Sequence, residues 1–398
     1  MRYARSDTVS IPQLYFGDDS DILLAYKSFV YHNLNCGDKQ KGDRIMRKFV
    51  VFSGFLGSGK TTTMMALTRY YTAHHGKAAM ISNDLGEGVT LADDRLARLS
   101  GVNASQITDE CICFCHDVLT DRLNAYFDDG CDLVLSDIPG FGVGALEHVY
   151  HGLHSKCPDE FELGPFTVLL EPRNAALLKT GKSGDMGYIL HAQLMEADLI
   201  VLNKCDLLES AELEADRRWL AERYPQAEVL TISAAAGQGL EELSLALTRG
   251  RASMRHPDIN YEDEDLQSAM DRLSEYYLEY AAQVCCNDFD GTAYLSDIAR
   301  RVQEALRAGG YEIPHMKLLG WEPEGDFGKV DLLGVDRPIE VFRPFTRSCT
   351  DIAVVLNANA ACPSAVLDEV IQTAVEKTSQ LYRLEVRLFK KECFNLGE

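Results

Sequence analysis

The sequence predicts an α/β fold: a P-loop-type parallel sheet with helices on both faces, plus a C-terminal α+β domain. Three observations predict it. Gly54-Phe55-Leu56-Gly57-Ser58-Gly59-Lys60-Thr61 fits G-x-x-x-x-G-K-[ST] and lies between an apolar run, 48–53, and a helical one, 62–70. Between Met46 and about Gly250, short apolar runs alternate with helical patterns, and runs that are apolar throughout are buried on both faces. After Gly250 the texture changes to longer helical segments followed by strand-like runs.

In chain order, residues 1–45 lack strong periodicity beyond a short helical pattern at 18–27, and 37–43 is a polar linker. They read as an N-terminal extension outside the fold, or as sequence upstream of a start at Met46. Residues 46–250 form the first domain, with strands predicted at 48–53, 77–82, 132–136, 166–170, 199–202 and 228–232. A charge-rich helix spans 209–223, and a last helix lies near 240–248. Residues 251–398 form the second, with helices predicted at 266–284, 296–308 and 363–379. Its strands fall at 314–319, 328–333, 339–342, 351–356 and 384–390, suggesting an antiparallel sheet.

Composition narrows the function. A chain of 398 residues that is 46% hydrophobic and 25% charged is ordinary for a globular protein. A formal net charge of −22 argues against sequence-independent nucleic-acid binding, which leans on basic surface. No apolar run reaches the roughly 20 residues of a membrane span. Neither a secretory leader nor a dense disulfide pattern is expected, so the twelve cysteines read as reduced thiols in a cytoplasmic protein.

The motifs then specify the chemistry. In the P-loop, glycines let backbone N–H groups face an anion, Lys60 supplies positive charge and the Thr61 hydroxyl suits Mg²⁺, with Thr62 next to it. Gly54, Gly57, Ser58 and Gly59 shape that loop. Asn203-Lys204-Cys205-Asp206 follows a strand; the Asp206 carboxylate can accept from guanine N1 and N2, and Ser233-Ala234 stands where a backbone N–H would read O6. Asp137-Ile138-Pro139-Gly140 offers a carboxylate for water-held Mg²⁺ and an N–H for a γ-phosphate. Asp84 and Glu87, after the second strand, are candidates to face Mg²⁺ or the attacking water. Cys111-Ile112-Cys113-Phe114-Cys115-His116, read as extended backbone, sends three thiols to one side, a set suited to Zn²⁺, Co²⁺, Ni²⁺ or Cu⁺. His148, His151 and His154 recur on a helix as a weaker metal candidate or a solvated face. Cys285-Cys286 reads as core packing.

In this order, the P-loop, N-D-x-G-E, Cys-x-Cys, acid-x-x-Gly and N-K-x-D resemble the metallochaperone GTPases, the group holding CobW-type, urease-accessory and hydrogenase nickel-insertion proteins. The loop G-F-L-G-S-G-K-T-T is most similar to the CobW-type version. The resemblance covers about residues 47–250 and implies a Mg²⁺-dependent GTPase, often dimeric, with a client metalloprotein. It implies that Lys60, Thr61, Asp137 and Gly140 bind phosphate and Mg²⁺, that Asn203, Lys204 and Asp206 bind guanine, and that Cys111, Cys113 and Cys115 hold metal. The chain departs from C-x-C-C at Phe114 and has Asp where the pattern has Glu at Asp84 and Asp137. The expectation is therefore a slow GTP hydrolase loading a metal, or a metal cofactor such as a corrinoid, into a client, with Asp84 orienting the water. Its rivals are a regulatory GTPase with structural cysteines and a nucleotide-gated Fe–S module.

Overall fold

The computed structural model describes residues 47–397, apart from positions 159, 183, 185 and 286. The expectations for residues 1–45 and for Cys286 lie outside these residues.

The first sheet is parallel throughout. It comprises β1 (Lys48–Ser53), β2 (Ala78–Asn83), β3 (Ala104–Ile107), β4 (Leu133–Asp137), β5 (Glu162–Leu163), β6 (Thr167–Leu170), β7 (Leu199–Leu202) and β8 (Glu228–Thr231). The order is β3-β2-β4-β1-β6-β7-β8, with β5 also beside β1. Every residue of β1, β2, β4, β6 and β7 is buried, as their unbroken apolar character requires of strands covered on both faces. The edge strand β3, Ala-Ser-Gln-Ile, alternates in burial and is too short and polar to stand out in the sequence.

The second sheet is antiparallel. It contains β9 (Ser274–Val284), β10 (Glu312–Trp321), β11 (Phe327–Leu332), β12 (Glu340–Arg343), β13 (Asp351–Ala361) and β14 (Leu384–Asn395), in the order β12-β11-β10-β13-β9-β14. The helices Gly291–Gly309 and Ser364–Tyr382 pack on one face. The first is capped by Asp290, whose side chain accepts from the Ala293 N–H at 3.0 Å, and stops at Gly310 with φ +74°.

One predicted helix is corrected. Residues 266–284 split into a short helix, Glu264–Asp271, capped by the Asp263 carboxylate, and then β9. The run Tyr276-Tyr277-Leu278-Glu279-Tyr280-Ala281 fits either periodicity. Pairing decides, because β9 is bonded to β13 on one side and β14 on the other, and aromatics favour a pleated, packed surface.

The two faces of this sheet differ sharply. Tyr276, Leu278, Tyr280, Met316, Leu318, Val330, Leu332, Val354 and Leu356 point into the helix-covered core. Their alternates, Glu275, Glu279, His315, Lys329, Asp331 and Asn359, are polar yet also buried. That second face lies against the parallel-sheet domain, at the end where β1, β2 and β4 finish.

Within the helix-covered core, the Tyr294 hydroxyl meets Tyr280 at 3.2 Å and Ser379 at 2.9 Å. Tyr294→Phe should leave both partners short of a bond and lower unfolding free energy by about 1–2 kcal/mol. Urea denaturation with an unchanged m-value would read that loss, and an undiminished midpoint would contradict it.

Candidate nucleotide and metal site

The parallel strands present their chemistry at one end. After β1 the chain turns through residues 54–59 into the helix Lys60–His74. Glycine is required twice: Gly54 has φ +130° and Gly59 φ +93°, and an added Cβ would run into the Leu169 carbonyl or the Asn203 amide. Lys60 Nζ donates to the Gly54 carbonyl at 2.7 Å. Asn203, at the end of β7, braces the turn: its Nδ2 donates to the Ser58 carbonyl at 3.0 Å and its Oδ1 accepts from the Ala234 N–H at 3.1 Å. One side chain thus joins the P-loop to the Ser-Ala loop, and the Ala234 N–H is committed to it.

A single cavity of about 400 Å³ is lined by Gly57, Gly59, Lys60, Thr61, Thr62, Asp84, Asp137, Gly140, Asn203, Lys204, Asp206, Ser233 and Ala234. Gly54 and Ser58 stand behind its wall and shape the turn. Glu87 lies outside it; its N–H donates to Glu392 at 2.7 Å. Lys204 is held by Glu171 at 2.8 Å, and Arg337 from the second domain grips the same carboxylate at 3.1 Å.

Burial raises Asp137 to about 7, against the pull of Lys60. It lowers Lys60 to about 8, against the pull of Asp137. Burial also raises Asp84, although Tyr277 and the Leu85 N–H bond to its carboxylate. Lone carboxylates and a lone ammonium this deep are costly, so the cavity favours an occupant carrying both signs of charge.

The motifs missed several lining residues. Asp93, from the helix Ala92–Leu99, lies beside the Thr61 hydroxyl and forms an ion pair with Lys317 of β10. Among the described residues its other oxygen, Oδ1, meets no hydrogen-bond donor, and Ser58 Oγ, Asp331 Oδ1 and Asn357 Nδ2 also lack a partner. The Thr61 hydroxyl and the Asp93 carboxylate, within hydrogen-bonding reach of each other at the P-loop, fit Mg²⁺, a hard ion that takes oxygen ligands. His315, Lys317, Lys329, Asp331 and Arg337 also line the cavity from the second domain. The available signal was the alternation of charged residues with apolar ones along β9, β10, β11 and β13.

The cysteine stretch departs from the extended reading. Residues 111–114 form a turn, with the Phe114 N–H bonded to the Cys111 carbonyl at 2.9 Å, and Cys115 caps the helix His116–Asp128. Two thiols meet: Cys111 and Cys113 Sγ are 3.0 Å apart and buried. The third does not join them; Cys115 Sγ turns to the Cys111 carbonyl at 3.5 Å, and Phe114 is 67% exposed. The Cys113 hydrogen bond lowers the Cys111 thiol despite burial, and the same bond, with burial, raises Cys113, so the two thiols titrate as a pair. Burial raises Cys115 to about 11.

Asn83 connects the turn to the phosphate end. Its backbone N–H donates to Asp137 Oδ1 at 3.0 Å, its Nδ2 to the Glu110 carbonyl at 2.9 Å, and its Oδ1 accepts from the Ile112 N–H at 3.0 Å.

The three histidines do not form a set. Residues Leu146–His151 make a π-helical turn, which changes which side chains share a face. His148 packs on Phe114, and His154 is exposed. His151 instead falls with Glu147 and His256, their ligand-capable atoms all within 4.8 Å. Cys285 is exposed rather than packed in the core. No described helix is long and apolar enough to cross a membrane.

The family model of the CobW/HypB/UreG nucleotide-binding domain matches residues 48–231. Among solved structures, Zn(II)-bound YjiA GTPase from E. coli is similar at 17% identity, covering 84% of this chain and 99% of that one, with TM-score 0.35. HypB from Helicobacter pylori, in complex with nickel, is similar at 18% identity over 53% and 92%, with TM-score 0.38. The hydrogenase maturation factor HypB from Archaeoglobus fulgidus is similar at 22% over 49% and 86%, with TM-score 0.32. No curated protein matches significantly. Residues 48–231, a little under half of the chain, thus match a nucleotide-binding domain of the CobW/HypB/UreG type.

Proposed function

We propose that this chain is a Mg²⁺-dependent GTPase that holds a transition metal at its cysteine turn and releases it to a client metalloprotein in step with the nucleotide. The observation that carries the reading is the single-residue bridge at Asn83, which is bonded at once to Asp137 and to both sides of the turn before Cys113. Lys60 and the loop N–H groups bind phosphate. Thr61, Asp93 and Asp137 would hold Mg²⁺, which would supply positive charge against the phosphates. Gly140 meets the γ-phosphate through its N–H. Asp206 selects guanine, while Asn203 and Lys204 frame the base. Asp84, steadied by Tyr277, orients the water. A soft or borderline metal such as Zn²⁺, Co²⁺ or Ni²⁺ binds Cys111 and Cys113 as thiolates, releasing their protons to solvent, and Cys115 is the thiol a client can reach.

Base selection and metal hold are separately measurable. Asp206→Asn should weaken GTP binding by roughly tenfold to a hundredfold, the worth of a charge-assisted hydrogen bond, and favour xanthosine triphosphate. Unchanged GTP affinity would remove the guanine assignment. Wild-type protein should bind Zn²⁺ or Co²⁺ with different affinity when loaded with a GTP analogue or with GDP, and Cys111→Ser with Cys113→Ser should abolish that binding. Asn83→Ala should keep the metal but lose its dependence on nucleotide. If metal affinity in the wild type were the same with either nucleotide, the coupling would be refuted.

A further inference from the structure

The second domain contributes cations to a cavity whose motifs all belong to the first. It sits directly over the P-loop: a Cβ on Gly57 would lie 3.7 Å from the Leu333 side chain and 3.9 Å from the Pro314 carbonyl. Its polar sheet face grips the segment between β2 and the helix Ala92–Leu99. The Thr90 N–H donates to Glu279, the Ala92 N–H to Asn357 Oδ1 at 2.8 Å, and Lys317 pairs with Asp93. Lys317 therefore has a fixed address. It is one carboxylate away from Thr61, the Mg²⁺-side residue of the P-loop, and Lys60, Asp137 and Lys317 lie close enough to act on one another electrostatically.

We propose that Lys317 is a γ-phosphate ligand supplied in cis by the C-terminal sheet, placed by Asp93 to neutralise the charge that grows on the transferred phosphoryl group. In the apposed domains, Thr61 and Asp93 mark the metal side of the phosphates. Lys60, reaching back from the helix start, marks the β/γ side. The Lys317 ammonium, paired with Asp93 and lining the same cavity, would then meet the terminal phosphate of a triphosphate, which a diphosphate lacks. Hydrolysis itself breaks the bond between the γ-phosphorus and the β–γ bridging oxygen as water adds to phosphorus, giving GDP and phosphate; Lys317 forms no covalent bond and loses no proton. A cation in this position stabilises the transition state in the manner of an arginine finger. A structural ion pair whose only work is to dock the two domains is the competing explanation, and it makes no distinction between di- and triphosphate.

This inference rests on the GTPase reading, so its test separates the two. Binding of fluorescent GDP and of a non-hydrolysable GTP analogue is measured with Mg²⁺ for the full chain, for Lys317→Gln and for Lys317→Met, with single-turnover GTP hydrolysis alongside. Lys317→Gln keeps a hydrogen-bond donor for Asp93 and guards against a variant that fails to fold. The expected result is GDP affinity within about twofold of wild type, a fall of tenfold or more for the analogue, and hydrolysis slowed by roughly a hundredfold or more. Equal losses for GDP and analogue, or no loss for either, would overturn the assignment in favour of a docking ion pair. Wild-type protein that bound neither nucleotide would remove the GTPase reading, and this inference with it.

Discussion

A sheet face that carries Glu275, Glu279, Lys317, Lys329 and Asp331 can be buried only if each charge finds a partner, and that constraint fixes the architecture. Desolvating an unpaired charge costs several kcal/mol, far more than apolar packing at the same position returns. Here the partners are specific. Lys329 meets Asp331, Lys317 meets Asp93, Glu279 accepts from Thr90, and Glu275 accepts from Tyr277 at 3.1 Å. Two of these four contacts cross to the parallel-sheet domain, and Arg337 crosses as well to reach Glu171 beside Lys204. A small sliding of one domain over the other would separate several charges together. The docking of the domains and the shape of the cavity are therefore one property.

The same constraint explains what could be read from the amino acids alone. Motifs whose chemistry is local were legible. The P-loop needs Gly54 and Gly59 because the backbone there takes positive φ within its own turn, and Asn203 and Asp206 follow a strand that is apolar by itself. Strands of the parallel sheet were legible for the same reason, since burial on both faces leaves an unbroken apolar run. Asp93, Lys317 and Arg337 were not, because their meaning comes from residues up to 224 positions away in the chain. β9 was misread because its tyrosines serve a helix period as well as a strand period, and only β13 and β14, arriving much later, decide between them.

The cysteine turn shows a different kind of error. Alternate spacing places thiols together only in extended backbone, and here Asn83 draws in the Glu110 carbonyl and the Ile112 N–H, which folds the chain into a turn. Cys111 and Cys113 still meet, but through the turn's curvature, with the Cys113 N–H directed at the Cys111 sulfur at 3.4 Å. Cys115 is carried off to begin a helix. The result is an asymmetric set: two thiols buried and hydrogen-bonded to each other, one half-buried beside exposed Phe114.

Asn83 ties that turn to the end of β4. Its backbone is part of β2, anchored by pairing to β3 and β4, so it cannot drift freely. Its N–H and side chain nevertheless connect Asp137 to the turn through contacts of about 3 Å. The loop after Asp137 is itself held, since Gln193 Nε2 donates to the Gly140 and Gly142 carbonyls at 3.1 and 3.0 Å. In a core packed to the density of an organic crystal, a displacement of a few tenths of an ångström at Asp137 has few places to dissipate. The Asp137 carboxylate and the Cys111–Cys113 thiol pair are thereby joined through one side chain and its own backbone N–H.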